Sequence, residues 1–330
     1  MGNIYKSVFS EEFDAYIILR KAELSNDAFR HCKRTVKIFD DYLCKRNHTK
    51  KEVTEYIVEE WIKEISKDRS LNTTCQYVNY IRHLLLHLRS IGYSCFVPKT
   101  VRSKDTYIPY LYSDKDIERI IIAVDSLKAP RAVKNVYIEK EMPLLVRLLL
   151  CCGLRVGEAL MIKVGDIDFQ RNLIILRVTK KYKQRMVPYD EQLANIIYHY
   201  CAAMELLGDS EAYLFPTVDK DIPLSPNSAR NYFKEVLHDA GFQRTVTSRY
   251  ARDACLHCFR HTFAVRSFDK NDRNGTTPFE HVPFLSTYLG HDSLYETEKY
   301  LKYSGNYFSD TLSKFEQYAG DLFPEVIIHE

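Results

Sequence analysis

The chain has 330 residues, of which 45% are hydrophobic and 28% are charged, and its formal net charge is +3. This composition is typical of a globular protein with room for two domains, and it excludes an intrinsically disordered or low-complexity chain. No apolar run approaches the ~18 residues that a membrane-spanning helix needs, and the first residues lack the apolar core of a signal peptide. We therefore expect a cytoplasmic protein that has no membrane partner.

The first part of the chain is predicted to contain helices only. The candidate helices are residues 8–21, 27–46, 50–66 and 72–91. In the last of them, six apolar residues fall at helical spacing and form one stripe: Val78, Ile81, Leu84, Leu85, Leu88 and Ile91. Ser25, Asn26 or Asp27 could cap the second of them, and the sequence does not choose among the three. Basic residues outnumber acidic ones in residues 1–110. This excess suits a polyanionic partner, although a solvated helix surface explains it almost as well.

Two prolines, Pro98 and Pro109, punctuate the segment that follows these helices, and the segment between them is basic. Such a composition is typical of an extended linker between domains. We predict a helical domain at 1–97, a basic linker at 98–112 and a second domain at 113–330.

The second domain is predicted to be mostly helical with one small β-hairpin. It opens at Ser113, whose spacing to Asp116 fits a capping box, and an apolar helix at 141–152 ends at Gly153. The two predicted strands are 172–178 and 185–188. Further helices are expected near Val156 and at 190–206 and 226–240. The fold class is therefore mainly α with a small antiparallel β-hairpin or sheet.

Nine cysteines are spread along the chain, and two of them, Cys255 and Cys258, have the spacing of half a zinc site. The sequence offers neither a second pair at that spacing nor a matching histidine pair. We therefore expect reduced thiols that serve mainly as small core residues, and no metal site.

Four short segments carry candidate chemistry. Residues 153–158 read GLRVGE, residues 179–185 read TKKYKQR, residues 257–261 read HCFRH, and residues 289–291 read LGH with Tyr300 nine positions later. Each segment alone also fits an ordinary surface turn or a core histidine. In this order, however, they resemble the active-site signature of the tyrosine recombinase (phage integrase) family. The motif-bearing resemblance covers about residues 113–303.

This resemblance implies a two-domain DNA clamp and a set of site residues. In that clamp, residues 1–97 would form a helical, SAM-like core-binding domain that binds DNA, and residues 113–330 a catalytic domain with a C-terminal tail. The implied catalytic residues are Arg155, Lys180, His257, Arg260, His291 and Tyr300, with Glu158 in support. Tyr300 would be the nucleophile. The expected DNA contacts come from Lys99, Arg102, Lys104, Lys181, Lys183, Arg230, Asn231 and Lys234. The sequence departs from the family pattern at two places. Lys181 replaces the usual glycine after the hairpin lysine, so Lys181 and Lys183 remain alternatives to Lys180. A polar insert at 270–280 could form a loop over DNA or a partner contact.

The function that the resemblance implies is site-specific DNA recombination through a 3′-phosphotyrosine, for integration or excision of a mobile element. No cofactor is expected, since arginines supply the positive charge and the phosphodiester energy is conserved in the covalent link. The expected partners are double-stranded DNA with a recombination site, three further copies joined through an amphipathic tail at 308–323, and accessory DNA-bending or directionality factors, all in the nucleoid. A type IB topoisomerase and a catalytically inactive DNA-binding regulator are the alternatives.

Overall fold

The computed structural model describes residues 4–100, 109–128, 137–177, 184–243, 253–273 and 278–303. The chain forms two compact units, of which one lies within residues 4–100 and the other begins at residue 109. Each unit has a hydrophobic core of its own. The division into domains at 1–97, 98–112 and 113–330 stays a prediction.

Four helices build the first unit: α1 Ser10–Glu23, α2 Asn26–Lys45, α3 Glu55–Ser66 and α4 Leu71–Ser90. Five residues of the apolar stripe expected on α4 are buried in the core together with Trp61, whereas the sixth, Ile91, follows the end of the helix and is exposed. Ser25 caps α2, because its hydroxyl accepts the backbone N–H of Ala28 at 3.5 Å, which decides among the three candidate caps. Gly92 follows the end of α4 at φ +102, a backbone conformation that glycine adopts without a steric penalty.

The prediction that residues 8–92 contain helices only is wrong at one point. Glu52–Val53 forms a short strand, β1, which pairs in parallel with β2, Ser94–Cys95. Thr54 has an extended backbone and precedes α3. β-branched side chains at positions 53 and 54 favour this extended conformation over the first turn of a helix.

The helices described in the second unit are α5 Asp114–Asp125, α6 Ile138–Cys152, α7 Val156–Leu160, α8 Glu191–Ala203, α9 Pro226–Asp239, α10 Leu256–Arg273, α11 Pro278–Leu289 and α12 Leu294–Glu298. A 3₁₀ turn, Lys299–Tyr303, follows α12. The apolar α6 lies in the middle of the core and packs against α5, α8 and α10. The capping box predicted at Ser113 and Asp116 is present at the start of α5. None of the described helices is long and apolar enough to cross a lipid bilayer.

Three antiparallel strands form the small sheet of this unit, in the order β3 Ile167–Asp168, β4 Leu173–Leu176 and β5 Arg185–Pro188. The predicted hairpin is thus confirmed, with Leu176 opposite Arg185. β3 has only two residues, which is too short for an alternating pattern to reveal it. A mainly α fold with a small antiparallel sheet is what the sequence predicts.

The polar insert at 270–280 is described only at its two ends, and its role as a loop over DNA or a partner contact stays a prediction. α10 continues to Arg273, and α11 already begins at Pro278. Helix therefore extends into this segment from both sides. Proline at the first position of α11 is compatible with helix, since the missing N–H has no intrahelical acceptor there.

Candidate active site

Two glycine turns hold the two arginines that the sequence singles out. Arg260, buried on α10, donates to the carbonyl oxygen of Gly153 at 2.9 Å and to that of Leu289 at 2.7 Å. Arg155 donates to the carbonyl oxygen of Gly290 at 3.2 Å. These bonds bring together the motifs at 153–158, 257–261 and 289–291, which lie far apart in the chain.

Backbone conformation and close neighbours favour glycine at both turns. Gly153 has φ +60, and a Cβ there would lie 2.4 Å from the ring of Phe263. Gly290 has φ +65, and a Cβ there would lie 3.0 Å from the guanidinium of Arg185. The left-handed backbone therefore places the carbonyl groups that accept from Arg155 and Arg260, and the missing side chains leave the space that neighbouring groups fill.

Burial and a neighbouring positive charge act in the same direction on the guanidinium of Arg260. Burial, together with the neighbouring Arg155, lowers the pKa of Arg260 to about 10. The side chain therefore stays protonated at neutral pH. Arg155 is more open, with 28% of its side chain exposed. The site therefore contains one cation that faces solvent, Arg155, and one that is buried, Arg260.

Glu158 orients this cationic cluster. Its carboxylate accepts the backbone N–H of Arg155 at 3.1 Å and the Arg155 side chain at 2.8 Å, and it accepts both terminal nitrogens of Arg185 at 3.1 and 2.7 Å. Burial by itself would raise the pKa of Glu158, but the bonds from Arg185 and Arg155 outweigh it and hold the pKa at about 2. The carboxylate is therefore ionised under all ordinary conditions.

We expect Glu158→Gln to lower the free energy of unfolding by about 3 kcal/mol at pH 7, because a depression of the pKa from 4.5 to about 2 corresponds to that energy. The contribution is fully present above pH 4.5 and is lost as the pH falls towards 2. Urea unfolding at pH 7 and at pH 3 measures it. The difference between wild type and variant should shrink at pH 3, and an equal difference at both pH values would contradict the assignment.

Arg185 is a site residue that the sequence analysis did not select. It begins β5, and only 12% of its side chain is exposed. The signal available in the sequence was its position, because Arg185 is the first residue of the predicted strand that follows the lysine-rich turn. Its partner depends on the strand register and on the position of Glu158, which periodicity does not give.

Tyr300 lies in the same site, on the 3₁₀ turn after α12. Its side chain is 7% exposed. The hydroxyl is 2.9 Å from Nδ1 of His261, and the ring stacks on His291 at 6.2 Å between centroids. Burial raises the pKa of Tyr300, although Arg260 and Arg155 both act to lower it. The phenol is therefore protonated at neutral pH and needs a proton acceptor.

The two histidines of the HCFRH segment take different positions. His257 is exposed in the first turn of α10, while His261 is buried one turn later, and their rings are 4.6 Å apart. His261 therefore lies between His257 and Tyr300. The sequence analysis did not select His261. Its spacing of four from His257 was the available signal, since positions i and i+4 of a helix are neighbours.

His291 is half-buried beside the arginines. Its Nδ1 is 2.6 Å from the hydroxyl of Thr297, a buried residue on α12 that sequence reasoning also missed. Burial, and then the charges of Arg260 and Arg155, lower the pKa of His291 to about 3. The imidazole is therefore neutral across the physiological pH range.

The remaining predicted residues fall into two groups. Lys99, Arg230, Asn231 and Lys234 are exposed, the last three of them on α9. Lys180, Lys181, Lys183, Arg102 and Lys104 lie outside the described residues. Within the described ranges, no group of three or more His, Cys, Asp or Glu side chains is placed to hold a metal ion.

The sequence matches a known family over most of the second unit. The model of the phage integrase family matches residues 113–305, which is more than half of the chain. The chain belongs to the phage integrase family. It is a site-specific tyrosine recombinase, as the motifs indicated.

Relatives of this recombinase agree with the assignment. A putative integrase/recombinase, y4rB, of Sinorhizobium fredii is 30% identical over 67% of this chain and 68% of its own length. A probable integrase/recombinase of Acholeplasma phage L2 is 26% identical over 71% of this chain and 75% of its own. Among solved structures, the crystal structure of the XerH site-specific recombinase bound to a palindromic difH substrate, a post-cleavage complex, is similar. The match covers 87% of this chain and 80% of the XerH chain, with 17% sequence identity and a TM-score of 0.68. This likeness to XerH shows the fold.

Proposed function

We propose that this recombinase cuts and rejoins double-stranded DNA through a 3′-phosphotyrosine at Tyr300. The observation that carries the proposal is the placement of the Tyr300 hydroxyl against His261 and beside His291, in a site where Arg155 and Arg260 are anchored to backbone carbonyls. A nucleophile, a proton acceptor and two cations are the groups that metal-independent phosphoryl transfer needs.

The arginines stabilise the charge that develops on the phosphate. When a phosphodiester is attacked, negative charge grows on its non-bridging oxygens, and guanidinium groups can neutralise it with charge-assisted, bidentate hydrogen bonds. The bonds of Arg260 to Gly153 and Leu289 fix its position before DNA binds. Such preorganised donors are among the largest contributions to catalysis.

His261 takes the proton from Tyr300. The motifs place His257 in the catalytic set and not His261, but the group within hydrogen-bond distance of the phenol is Nδ1 of His261. The phenol donates to this nitrogen when the imidazole is neutral. The exposed His257 then has one of two roles. It contacts the phosphate, or it accepts the proton that His261 has taken from Tyr300. We assign the protonation of the leaving 5′ oxygen to Lys180, since a lysine whose pKa is lowered by neighbouring cations would be a suitable acid.

His291 donates a hydrogen bond to the phosphate as a neutral imidazole. If the Thr297 hydroxyl donates to Nδ1, the proton of the ring is on Nε2, where it can bond a phosphate oxygen. The proximity of the ring to Tyr300 suits this role. A cation at this position is unnecessary, since three arginines already surround the site.

We expect His261→Gln to slow covalent adduct formation by about 10²-fold, the lower end of general-base effects, because His257 can partly replace it. The pH–rate profile should also lose the limb that reports deprotonation of the base. Single-turnover cleavage between pH 5 and 9 measures both. His281→Gln, on α11 outside the site, is the matched control. A profile unchanged by His261→Gln would assign the base elsewhere.

DNA binding beyond the site is assigned to the exposed basic residues. α9 carries Arg230, Asn231 and Lys234 within one turn, a spacing that lets them enter a major groove from one helix face. Lys99 and the linker residues after it suit contacts to phosphates. The relationship to a phage recombinase supports a role in integration or excision of a mobile element, by four copies on DNA in the nucleoid with the tail as the contact between them.

A suicide DNA substrate tests the proposed function directly. In a nicked site, the short fragment that carries the free 5′ hydroxyl diffuses away after cleavage, so religation is prevented and the covalent intermediate is trapped. The trapped intermediate then runs as a protein–DNA adduct on a denaturing gel. An adduct formed only at a preferred sequence, the ends of the element beside the gene being the first candidates, supports recombination. Relaxation of any supercoiled plasmid would favour a type IB topoisomerase. No adduct at any DNA would favour a regulator that only binds.

A further inference from the structure

Two cysteine side chains lie close together at the start of α10. Cys255 immediately precedes the helix and Cys258 is in its first turn, where its N–H donates to the carbonyl oxygen of Cys255 at 2.9 Å. The two Sγ atoms are 3.4 Å apart and are not joined. His257 stands between them in the sequence, and Arg260 and His261 follow at once.

This geometry is close to that of a disulfide. An S–S bond is about 2.05 Å long, so the sulfurs need to approach by little more than ~1 Å. The pair has the C-x-x-C spacing, and it lies at the amino end of a helix, where the partial positive charge favours a thiolate. Cys255 is half-buried whereas Cys258 is fully buried, so a soluble oxidant reaches Cys255 first.

The contact between the thiols also defines their roles. The bond to Cys255, and then burial, raise the pKa of Cys258 well above its usual range. Cys258 is also the more buried of the two, so it keeps its proton longer and can donate a hydrogen bond to the sulfur of Cys255 across the 3.4 Å contact. Cys255 is the attacking group and Cys258 the resolving one.

We propose that Cys255 and Cys258 form a reversible disulfide that inhibits the recombinase by displacing His257. The regulatory part of this inference rests on the proposed function of the site. In the reaction, the Cys255 thiolate attacks a small-molecule disulfide such as oxidised glutathione, forms a mixed disulfide and releases one thiol. Cys258 then attacks the Cys255 sulfur and breaks its bond to glutathione, and the proton that Cys258 gives up goes to the departing glutathione thiolate, which leaves as the second thiol. Two cysteines are oxidised and one glutathione disulfide is reduced to two thiols.

Bond formation acts on the site through one turn of helix. The ring of His257 contacts that of His261, which in turn holds the Tyr300 hydroxyl. Drawing the two sulfurs together tightens the turn that carries His257. Since a displacement of about 1 Å in a catalytic site costs up to ~10²-fold in rate, we expect the oxidised protein to cleave about 10- to 100-fold more slowly.

The test compares the full chain after treatment with oxidised glutathione and after reduction with dithiothreitol. Both cysteines lie in the tryptic peptide 253–260, so the disulfide appears as loss of two hydrogens and of two alkylation sites in that peptide. Cleavage of the suicide substrate should be 10- to 100-fold slower in the oxidised sample and should recover on reduction. Cys255→Ser should cleave at the reduced wild-type rate under both conditions.

Cys151→Ser, which removes an exposed thiol elsewhere, is the matched control and should remain as sensitive as wild type. The inference fails if peptide 253–260 keeps both alkylation sites after oxidation. It also fails if the disulfide forms and the rate is unchanged, or if Cys255→Ser is still inhibited. A reduced wild-type protein that does not cleave would instead count against the proposed function, because the disulfide is measured without cleavage.

Discussion

Tyr300→Phe is expected to abolish the covalent protein–DNA adduct while the protein still folds and binds DNA. The change removes one oxygen atom from a buried ring and keeps the stacking on His291. The nucleophile is lost completely, so no residual adduct is expected at any pH. The gel assay with the suicide substrate measures adduct formation, and a mobility-shift assay measures DNA binding.

Tyr295→Phe is the matched control for this experiment. Tyr295 lies on α12, five residues before Tyr300, with 63% of its surface exposed. It should form adduct at the wild-type rate. An adduct that persists in Tyr300→Phe and disappears in Tyr295→Phe would move the nucleophile to the exposed tyrosine and overturn the proposed mechanism.

The second large effect is expected for Arg260→Lys. Lysine keeps the charge but cannot donate to the carbonyl groups of Gly153 and Leu289 and also present a planar pair of donors to a phosphate. Removal of one preorganised donor typically costs about 10² to 10³ in rate, and we expect a loss of that size in single-turnover cleavage. DNA affinity should change little, since one buried contact is a small part of the phosphate interface.

Arg266→Lys, on the same helix, separates this effect from a general loss of stability. Arg266 is exposed and forms an ion pair with Asp114, so its replacement should leave the cleavage rate within about two-fold. Thermal unfolding of both variants shows whether Arg260→Lys still folds. A folded Arg260→Lys protein that cleaves at the wild-type rate would remove Arg260 from the catalytic set.

The sequence predicts most of the site because the chemistry lies in side chains that stand in short motifs. Arg155, Arg260, His291 and Tyr300 were selected from such motifs, and the structure brings them together. The glycine turns at 153 and 290 were also foreseeable, since both end a helix and precede a motif residue. The motifs do not show that the side chain of Arg260 binds the backbone of both turns.

The residues that were missed have functions that depend on tertiary packing. His261 is one of two histidines on one helix face, and only the position of the Tyr300 turn decides which of them meets the phenol. Arg185 meets Glu158 because of the register of β5 and the start of α7, which local pattern does not fix. Thr297 contacts His291 across a turn whose conformation depends on Gly290.

The central claim is that Tyr300 is the residue that becomes linked to DNA. The most direct measurement is to trap the adduct, digest it with trypsin and nuclease, and identify the nucleotide-bearing peptide. Lys299 and Lys302 flank Tyr300, so trypsin separates it from Tyr295 and from Tyr303 and Tyr307. We predict a nucleotide on the peptide 300–302; a nucleotide on a peptide that lacks Tyr300 would contradict the account.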